Sequence, residues 1–318
     1  MSGADEPAQD EPEHEATAQE EPRCGFAALV GAPNAGKSTL LNQLVGAKVS
    51  IVSRKAQTTR ALVRGIAIAG AAQIILVDTP GIFKPKRRLD RAMVASALSG
   101  AADADVIALL VDSRRGLDEE VEAILTQLQQ ARAPKLLVLN KIDLIPREKL
   151  LTLAQTLNAR EKFDETFMIS ALNGDGVDDL RKALAQRMKP SPWLYPEDQL
   201  SDAPLRLLAA EITREQIYER LHDELPYQST VETESWTNQK DGSARIEQTI
   251  YVARDSQKKI VIGEGGRTIK AIGQAARREI AEAAEQPVHL FLFVKVRENW
   301  AEDPERYREM RLEFPKGG

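Results

Sequence analysis

The sequence predicts an α/β domain with a mostly parallel sheet, followed by a smaller α+β domain. Short apolar runs alternate with amphipathic stretches from Gly25 to about Met188, which is typical of a parallel sheet covered by helices. A glycine-rich loop at Gly31–Thr39 follows the first apolar run. The pattern changes after a proline-rich stretch at 189–196, which we interpret as part of an interdomain linker.

In the first domain, short apolar runs predict strands, and Gly70 marks a turn between two of them. The strands are expected at Phe26–Val30, Arg60–Ala69, Gln73–Val77, Val106–Val111, Lys135–Leu139 and Phe167–Ile169. Amphipathic stretches predict helices at Lys37–Val45, Leu117–Arg132, Arg147–Asn158 and Gly176–Met188. A sheet of this kind binds ligands in the loops that follow the carboxyl ends of its strands.

The second domain has a different order of elements. A long amphipathic helix from about Ala203 to His222 precedes two strands, Gln228–Trp236 and Ala244–Ala253, which flank a turn at Asp241-Gly242. A short helix at 258–262 then leads through Gly-Glu-Gly-Gly at 263–266 into a helix at 267–285 and a last strand at 288–296. We therefore divide the chain into an acidic segment at 1–22, a first domain at 23–189, a linker at 190–202 and a second domain at 203–318.

Charge is distributed unevenly along the chain. Residues 1–22 hold eight acidic side chains and no Lys or Arg, so setting them apart from the net charge of −5 leaves +3 on the remainder. Such a segment buries too little apolar surface to fold, and we predict that it is disordered. No secretory signal and no apolar run of the ~18–20 residues that span a bilayer are visible. With Cys24 as its single cysteine, the chain is expected in the reducing cytoplasm.

The loop Gly31-x-x-x-x-Gly36-Lys37-Ser38 has the pattern of a phosphate-binding loop. Its glycines let backbone N–H groups surround phosphates, Lys37 reaches the β and γ oxygens, and the Ser38 hydroxyl ligates Mg²⁺. By itself this pattern predicts a nucleoside triphosphate without specifying its base.

The base is indicated by Asn140-Lys-Ile-Asp143, because a carboxylate can accept hydrogen bonds from both N1–H and the exocyclic amine of guanine. Asp78-Thr-Pro-Gly81 and Ser170-Ala-Leu172 complete an ordered set of motifs that predicts a GTP site. The predicted nucleotide-binding residues are Gly31, Asn34, Ala35, Gly36, Lys37, Ser38, Thr39, Asp78, Gly81, Asn140, Lys141, Asp143, Ser170, Ala171 and Leu172.

Three further roles concern hydrolysis. Asp78 is expected to hold Mg²⁺ through water, the Gly81 N–H to sense the γ-phosphate, and Thr59 to supply a second metal-ligating hydroxyl, with Thr58 as the rival. The predicted metal ligands are thus Ser38, Thr59 and Asp78, and the predicted catalytic residues are Asn34, Lys37, Thr59 and Gly81.

The residue that follows Gly81 is Ile82, where signalling GTPases place a glutamine that orients the attacking water. Since an isoleucine side chain makes no hydrogen bond, we expect slow intrinsic hydrolysis that a partner or a monovalent cation accelerates. The side-chain oxygen of Asn34 is the candidate ligand of such a cation, for example K⁺.

The motifs GAPNAGKST, SRKAQTTR, DTPGIF, NKID and SAL together resemble those of the bacterial Era GTPases, within the TrmE–Era class. The resemblance continues through WLYPEDQLSD, LAAEITREQI, DELPY, VIGEGG and PVHLFLFVKVRENW, so it covers about residues 24–312. It implies a GTPase joined to a type II KH domain that binds the 3′ end of 16S rRNA. It also implies a role in assembling the small (30S) ribosomal subunit, with loose attachment to the inner membrane. We expect the protein to be a monomer.

The residues of the second domain favour RNA binding in their own right. In a KH fold, the G-x-x-G loop lets a nucleic-acid backbone approach closely and clamps about four nucleotides. From Arg254 to Arg278 there are seven Lys or Arg and two Asp or Glu residues, a charge suited to phosphates. The negative Glu264 departs from the usual pattern of this loop. The predicted RNA-binding residues are Lys258, Lys259, Ile262, Gly263, Glu264, Gly265, Gly266, Arg267 and Lys270.

Two other functions remain open at this point. The chain could be a GTP-regulated switch whose second domain binds a protein, or a scaffold that applies its basic face to anionic lipid. The basic charge around the G-x-x-G loop favours RNA over the first, and the lack of a basic helix rich in Trp and Phe argues against the second.

Overall fold

The computed structural model of the protein describes residues 21–315 apart from 54, 56–58, 61, 84, 86, 223–224 and 311. The predicted acidic segment therefore lies outside the described residues except for Glu21 and Pro22, and Thr58 lies outside them as well. The described residues form two sheets with helices packed against them.

The first sheet is mostly parallel, as the sequence predicts. Its strands are β1 (Arg23–Gly31), β2 (Val63–Ala69), β3 (Ala72–Asp78), β4 (Val106–Asp112), β5 (Lys135–Asn140), β6 (Glu165–Ile169) and the short β7 (Lys189–Pro190). They lie in the order β2-β3-β1-β4-β5-β6, and β7 pairs with the start of β1. The β2–β3 and β1–β7 pairs are antiparallel, and the other pairs are parallel.

Helices cover both faces of this sheet. They are α1 (Lys37–Val45), α2 (Arg88–Ala102), α3 (Glu119–Leu128), α4 (Arg147–Arg160) and α5 (Val177–Gln186). Leu40 of α1 and Leu184 of α5 belong to the apolar core on one face. Ala97 of α2, Ile124 of α3 and Leu150 of α4 belong to the core on the other face. The nearly continuous apolar strands are explained by this burial on two sides.

Strand β2 and helix α2 differ from the sequence-based expectation, and the short elements β7 and α9 (Pro304–Glu309) were not predicted. Strand β2 begins at Val63 rather than at Arg60, because the Arg60 side chain turns away from the sheet towards the second domain. Helix α2 is not apparent in the sequence pattern. Several of its buried positions are alanines, such as Ala92 and Ala97, which give a weak helical periodicity.

The second sheet has the order β10-β9-β8 and carries its helices on one face. Its elements are α6 (Leu205–Arg220), β8 (Ser229–Asn238), β9 (Ala244–Val252), α7 (Asp255–Ile262), α8 (Arg267–Ala283) and β10 (Val288–Val296). β9 pairs antiparallel with β8 and parallel with β10. Ile217 of α6 and Ile272 of α8 pack with Ile250 of β9 in its core. The order of elements is the predicted one.

The chain crosses between the two sheets twice. In the linker, the Trp193 indole N–H donates to the Ala71 carbonyl at 2.9 Å, so the linker packs on the first domain. After β10 the chain returns to the first domain through Trp300 and a short helix α9 (Pro304–Glu309), which pack with Met93 of α2. No helix within the described part of the chain is long and apolar enough to cross a membrane.

Candidate functional site

The loops that follow β1, β3, β5 and β6 surround a cavity of about 1150 Å³. The predicted residues that line it are Asn34, Gly36, Lys37, Ser38, Thr39, Thr59, Gly81, Asn140, Lys141, Asp143, Ser170, Ala171 and Leu172. Gly31, Ala35 and Asp78 are buried behind this lining. One cavity therefore brings together side chains that lie up to about 140 positions apart in the sequence, at the edge of the sheet where such folds bind ligands.

The phosphate-binding loop requires glycine at position 36. Gly36 has a φ of 100°, and a Cβ built on it would lie 2.2 Å from the Asn140 side-chain nitrogen. Any larger residue would therefore combine backbone strain with a clash against Asn140 at the end of β5. The tight turn at Gly36 leads directly into α1, whose first N–H groups are free to bind an anion.

Lys37 is the first residue of α1 and points back into the loop. Its ammonium donates to the carbonyls of Gly31 and Ala32, both at 3.0 Å. Burial lowers the pKa of Lys37 to about 8, although Asp78 works in the opposite direction. A bound triphosphate would bring negative charge to the ammonium and raise its pKa again.

This pKa difference makes nucleotide binding depend on pH. As the pH rises through about 8, free Lys37 loses its proton, and binding then has to include the uptake of that proton. Affinity for the GTP analogue GDPNP should therefore be constant near pH 7 and fall above pH 8, by up to about tenfold per pH unit. Titrations between about pH 7 and 8.8 would measure this slope. Lys37→Arg stays charged and should remove it, and an equal slope in that variant would contradict the assignment.

Oxygen atoms suited to a hard cation converge beside Lys37. The Ser38 hydroxyl lies 2.6 Å from the Asp78 carboxylate and 2.9 Å from the Thr59 hydroxyl, which itself lies 3.4 Å from Asp78. The second carboxylate oxygen of Asp78 is buried and has no hydrogen-bond partner among the described residues. Burial raises the pKa of Asp78, so this carboxylate would gain from a nearby positive charge.

This donor set fits Mg²⁺, which binds to a few protein oxygens and takes its other ligands from phosphates and water. Ser38, Thr59 and Asp78 are the residues that would hold it, as the sequence predicts. No cluster of three or more His, Cys, Asp or Glu side chains suited to a metal occurs in the described part of the chain. Three protein oxygens leave coordination positions of Mg²⁺ for phosphate and water, so the donor set favours a metal held jointly by protein and nucleotide.

At the other end of the cavity, Asn140 and Lys141 hold loops together. The Asn140 side chain donates to the Ala35 carbonyl at 2.8 Å and accepts from the Ala171 N–H at 2.9 Å. The Lys141 ammonium donates to the Asn34 carbonyl and to Asp112, each at 2.6 Å. These contacts fix the walls on either side of the space where a base would lie.

Asp143 and Leu172 are the parts of this end that face a ligand. Asp143 is exposed in the cavity and forms no hydrogen bond or ion pair with another described residue. The Leu172 side chain lines the same cavity with 78% of its surface exposed, and Leu144 with 53%. A planar base would cover these apolar groups and leave its polar edge to the carboxylate.

Ile82, at the position where signalling GTPases place a catalytic glutamine, does not face the cavity. Ile82 is 3% exposed, and it packs with Val30 and Ala97 in the apolar core instead of facing the cavity. Its N–H donates to the Gly31 carbonyl at 3.2 Å, which holds the loop after β3 against the phosphate-binding loop. Asn34 is exposed at the cavity with a φ of 64°.

The second domain presents its G-x-x-G loop between α7 and α8. Gly263 ends α7, Gly265 and Gly266 have positive φ values of 59° and 76°, and α8 begins at Arg267. The predicted contacts Lys259, Glu264, Gly265, Arg267 and Lys270 are exposed or lie on the exposed loop, and Lys258, Ile262, Gly263 and Gly266 are half-buried. Glu264 forms an exposed ion pair with Arg267, so it neutralises one of the cations of this surface.

The chain matches two family models: "50S ribosome-binding GTPase" over residues 26–141 and "KH domain" over residues 224–301. It is similar to the GTPase Era of Afipia carboxidovorans, with 72% identity over 294 residues, 92% of this chain and 96% of the relative. The GTPase Era of Brucella suis biovar 1 is 67% identical over 293 residues, 92% of this chain and 94% of the relative. This chain belongs to the Era family.

Solved structures of Era proteins share its architecture. Era in complex with MgGDPNP and nucleotides 1506–1542 of 16S ribosomal RNA superposes with a TM-score of 0.86 at 39% identity, covering 91% of this chain and 98% of the other. A variant of Aquifex aeolicus Era bound to GDP and AlF₄⁻ gives a TM-score of 0.85 at 38% identity, with the same coverage. The predicted fold is thereby confirmed: this Era-family chain is a GTPase with a P-loop domain followed by a KH domain.

The structure adds residues to the nucleotide cavity of this Era-family chain that the motifs do not identify. The buried Ser50 hydroxyl donates to Asp78 at 3.0 Å behind the lining, and Arg114 and Arg115 line the cavity. Tyr218 and Glu219 of α6 also line the cavity, although α6 belongs to the KH domain. No local pattern in the sequence could have indicated a contact made by folding across the two domains.

Proposed function

We propose that this Era-family GTPase binds the 3′ end of 16S rRNA through its KH domain and assists maturation of the small ribosomal subunit in a GTP-dependent manner. The observation that supports this most is the presence, in one chain, of the motif-lined cavity and an open G-x-x-G loop flanked by positively charged residues. An Era protein with the same architecture has been solved with MgGDPNP and nucleotides 1506–1542 of 16S rRNA.

In the proposed cycle, the residues of the cavity bind and orient GTP. Lys37 neutralises phosphate charge, and Ser38, Thr59 and Asp78 hold Mg²⁺, which stabilises the charge that develops on the phosphates. Asp143 recognises the guanine edge, and the Gly81 N–H faces the γ-phosphate. We take 23–189 as the GTPase domain, 190–202 as the linker and 203–318 as the KH domain.

The test is a binding measurement with RNA. Single-stranded RNA that matches the 3′ end of 16S rRNA should bind at least about tenfold more tightly than a scrambled RNA of the same composition, since a KH groove reads bases as well as phosphates. The measurement is made with GDPNP and with GDP bound. Equal affinity for both RNAs would leave only a non-specific basic surface and would contradict the proposal.

Cytoplasmic action as a monomer, with peripheral attachment to the inner membrane, belongs to the same proposal. Flotation with anionic liposomes at moderate salt tests the attachment.

Potassium is the proposed activator of hydrolysis. Ile82 is buried and cannot orient water, whereas Asn34 of the phosphate-binding loop is exposed at the cavity. Replacing Na⁺ by K⁺ should raise kcat by about tenfold, equivalent to about 1.4 kcal/mol of transition-state stabilisation. Asn34→Ala should abolish the difference between the two salts while leaving the rate in Na⁺ nearly unchanged. Equal rates of the native protein in both salts would disprove the role of the cation and leave the GTPase assignment intact.

A further inference from the structure

The segment that joins α1 to β2 contains Thr59, and other described residues of this segment contact the KH domain. Ile51 is 2% exposed and belongs to the apolar core of the KH domain, together with Ile212 of α6 and Ile280 of α8. Lys48 forms ion pairs of 2.5 Å with Glu215 and with Glu279. The segment that supplies a proposed Mg²⁺ ligand is therefore held by the KH domain.

Arg60 makes a second, buried set of polar contacts at this interface. It is 5% exposed, and its guanidinium donates to the carbonyls of Ser229 at 2.9 Å and of Pro226 and Tyr227 at 3.2 Å each. The same group lies 3.3 Å from the Tyr218 hydroxyl and 5.5 Å from the centre of the Trp300 ring. All of these partners belong to the KH domain as bounded above.

The Pro226 and Tyr227 carbonyls lie near the end of a short 3-10 helix at Leu225–Gln228, where carbonyls lack hydrogen-bond donors within the helix. The planar guanidinium is suited to this arrangement, because it directs several donors to fixed positions at once. Burial lowers the pKa of Arg60, because it disfavours the charged guanidinium. The hydrogen bonds to the carbonyls offset this cost of burying the charge.

Thr59 and Arg60 are consecutive but contact opposite sides of the interface. The Thr59 hydroxyl is 2.9 Å from that of Ser38, at the proposed Mg²⁺ site, while the Arg60 side chain reaches the KH domain. Anchoring Arg60 fixes the backbone next to Thr59 and thereby limits where its hydroxyl can lie. We propose that Arg60 is a positioning residue: through its contacts with the KH domain it holds Thr59 at the metal and γ-phosphate side of the nucleotide site.

This inference rests on the proposed function, because it requires that Thr59 ligates Mg²⁺ when a γ-phosphate is present. In GTPases such a loop is ordered by contacts with the γ-phosphate and Mg²⁺ and released after hydrolysis. Loss of the anchor should therefore weaken binding of the triphosphate form far more than binding of GDP. A residue that only stabilises the fold would affect both nucleotides alike.

The experiment compares fluorescent GDPNP and GDP binding, with Mg²⁺ and with EDTA, in the full chain and in Arg60→Ala. We expect Arg60→Ala to weaken Mg²⁺·GDPNP binding by about tenfold and to change GDP binding by less than about twofold. In EDTA, the substitution should affect both nucleotides alike, because only Mg²⁺·GDPNP favours the conformation in which Thr59 is held at the metal. Arg60→Lys keeps the charge but reaches fewer carbonyls, so it should lie between the native protein and Arg60→Ala.

Arg64→Ala is the matched control. Arg64 also joins the first domain to the chain beyond it, through Asp202 at 3.5 Å, but it lies on β2 away from the cavity lining. Arg64→Ala should therefore leave the affinities for GDPNP and GDP unchanged. If Arg60→Ala does not fold, as judged by circular dichroism, Arg60→Lys decides the question. Equal losses for GDPNP and GDP, or no loss, would overturn the inference. Failure of the native chain to bind GDPNP would instead refute the proposed function.

Discussion

Gly265→Asp is expected to weaken binding of the 16S 3′-end RNA by at least about hundredfold, while GDPNP affinity changes by less than about twofold. The reason is that a KH loop approaches the phosphate backbone closely through its glycines. Two unit charges 4 Å apart repel by about 1 kcal/mol in water and about 4 kcal/mol near a protein surface. Repulsion by more than one phosphate brings the loss to the stated size. The measurement is fluorescence anisotropy with labelled RNA.

The position allows a matched control for charge. A Cβ added to Gly265 meets no atom within 4 Å, and its φ of 59° lies in the left-handed region that Asp and Asn tolerate better than most residues. Gly265→Asn has the shape of the Asp variant without its charge, so it should retain most of the RNA affinity. Gly242→Asp introduces the same residue at a φ of 81° in the hairpin between β8 and β9, away from the G-x-x-G loop, and should change nothing.

The outcomes separate three possibilities. Loss in Gly265→Asp alone supports phosphate contact at this loop. Equal loss in Gly265→Asp and Gly265→Asn would indicate a steric effect only. Native affinity in both would show that RNA binds elsewhere on the protein and would contradict the role of the G-x-x-G loop.

The nucleotide site could largely be predicted from the sequence because its chemistry is local. Lys37, Asp78 and Asp143 each lie in a short motif directly after a strand, and the parallel sheet brings the ends of its strands to one edge. The type of side chain and its distance from the strand end are then enough to indicate its role. The order of elements in the KH domain could be predicted for a related reason, because each helix, strand and turn there has its own local sequence pattern.

The contacts between the domains could not be predicted in this way. Arg60 follows two threonines, a pattern that favours a strand, and its partners Tyr218 and Ser229 lie more than 150 positions further along the chain. Its burial depends on how the KH domain packs against the GTPase domain, which no local pattern records. Tertiary packing here overrides the local propensity, so β2 begins three residues later than predicted.

Asp143→Asn should change the base that the protein binds. Guanine offers two donors, N1–H and an exocyclic amine, to a carboxylate, whereas xanthine has a carbonyl in place of the amine. The Asn amide would accept from N1–H and donate to this carbonyl. Hydrogen bonds to a charged group contribute about 1.5–3 kcal/mol each, so loss of the matched pair should weaken GTP binding by about thousandfold, and XTP should then bind with an affinity near that of GTP in the native protein.

Competition binding measures the loss of GTP affinity and the gain of XTP affinity. GTP, XTP and ATP compete with a fluorescent guanine nucleotide on the native protein and with a fluorescent xanthine nucleotide on the variant. Asp179→Asn is the control, because this exposed carboxylate lies on α5 and does not line the cavity; it should keep native preference. The Asp143 side chain forms no hydrogen bond or ion pair with another described residue, so its replacement removes no contact of the fold, and the melting temperature should stay unchanged. Unaltered GTP affinity together with no XTP binding would show that another group reads the base. Weakened binding of all three nucleotides would instead mean that Asp143 supports the cavity without recognising guanine.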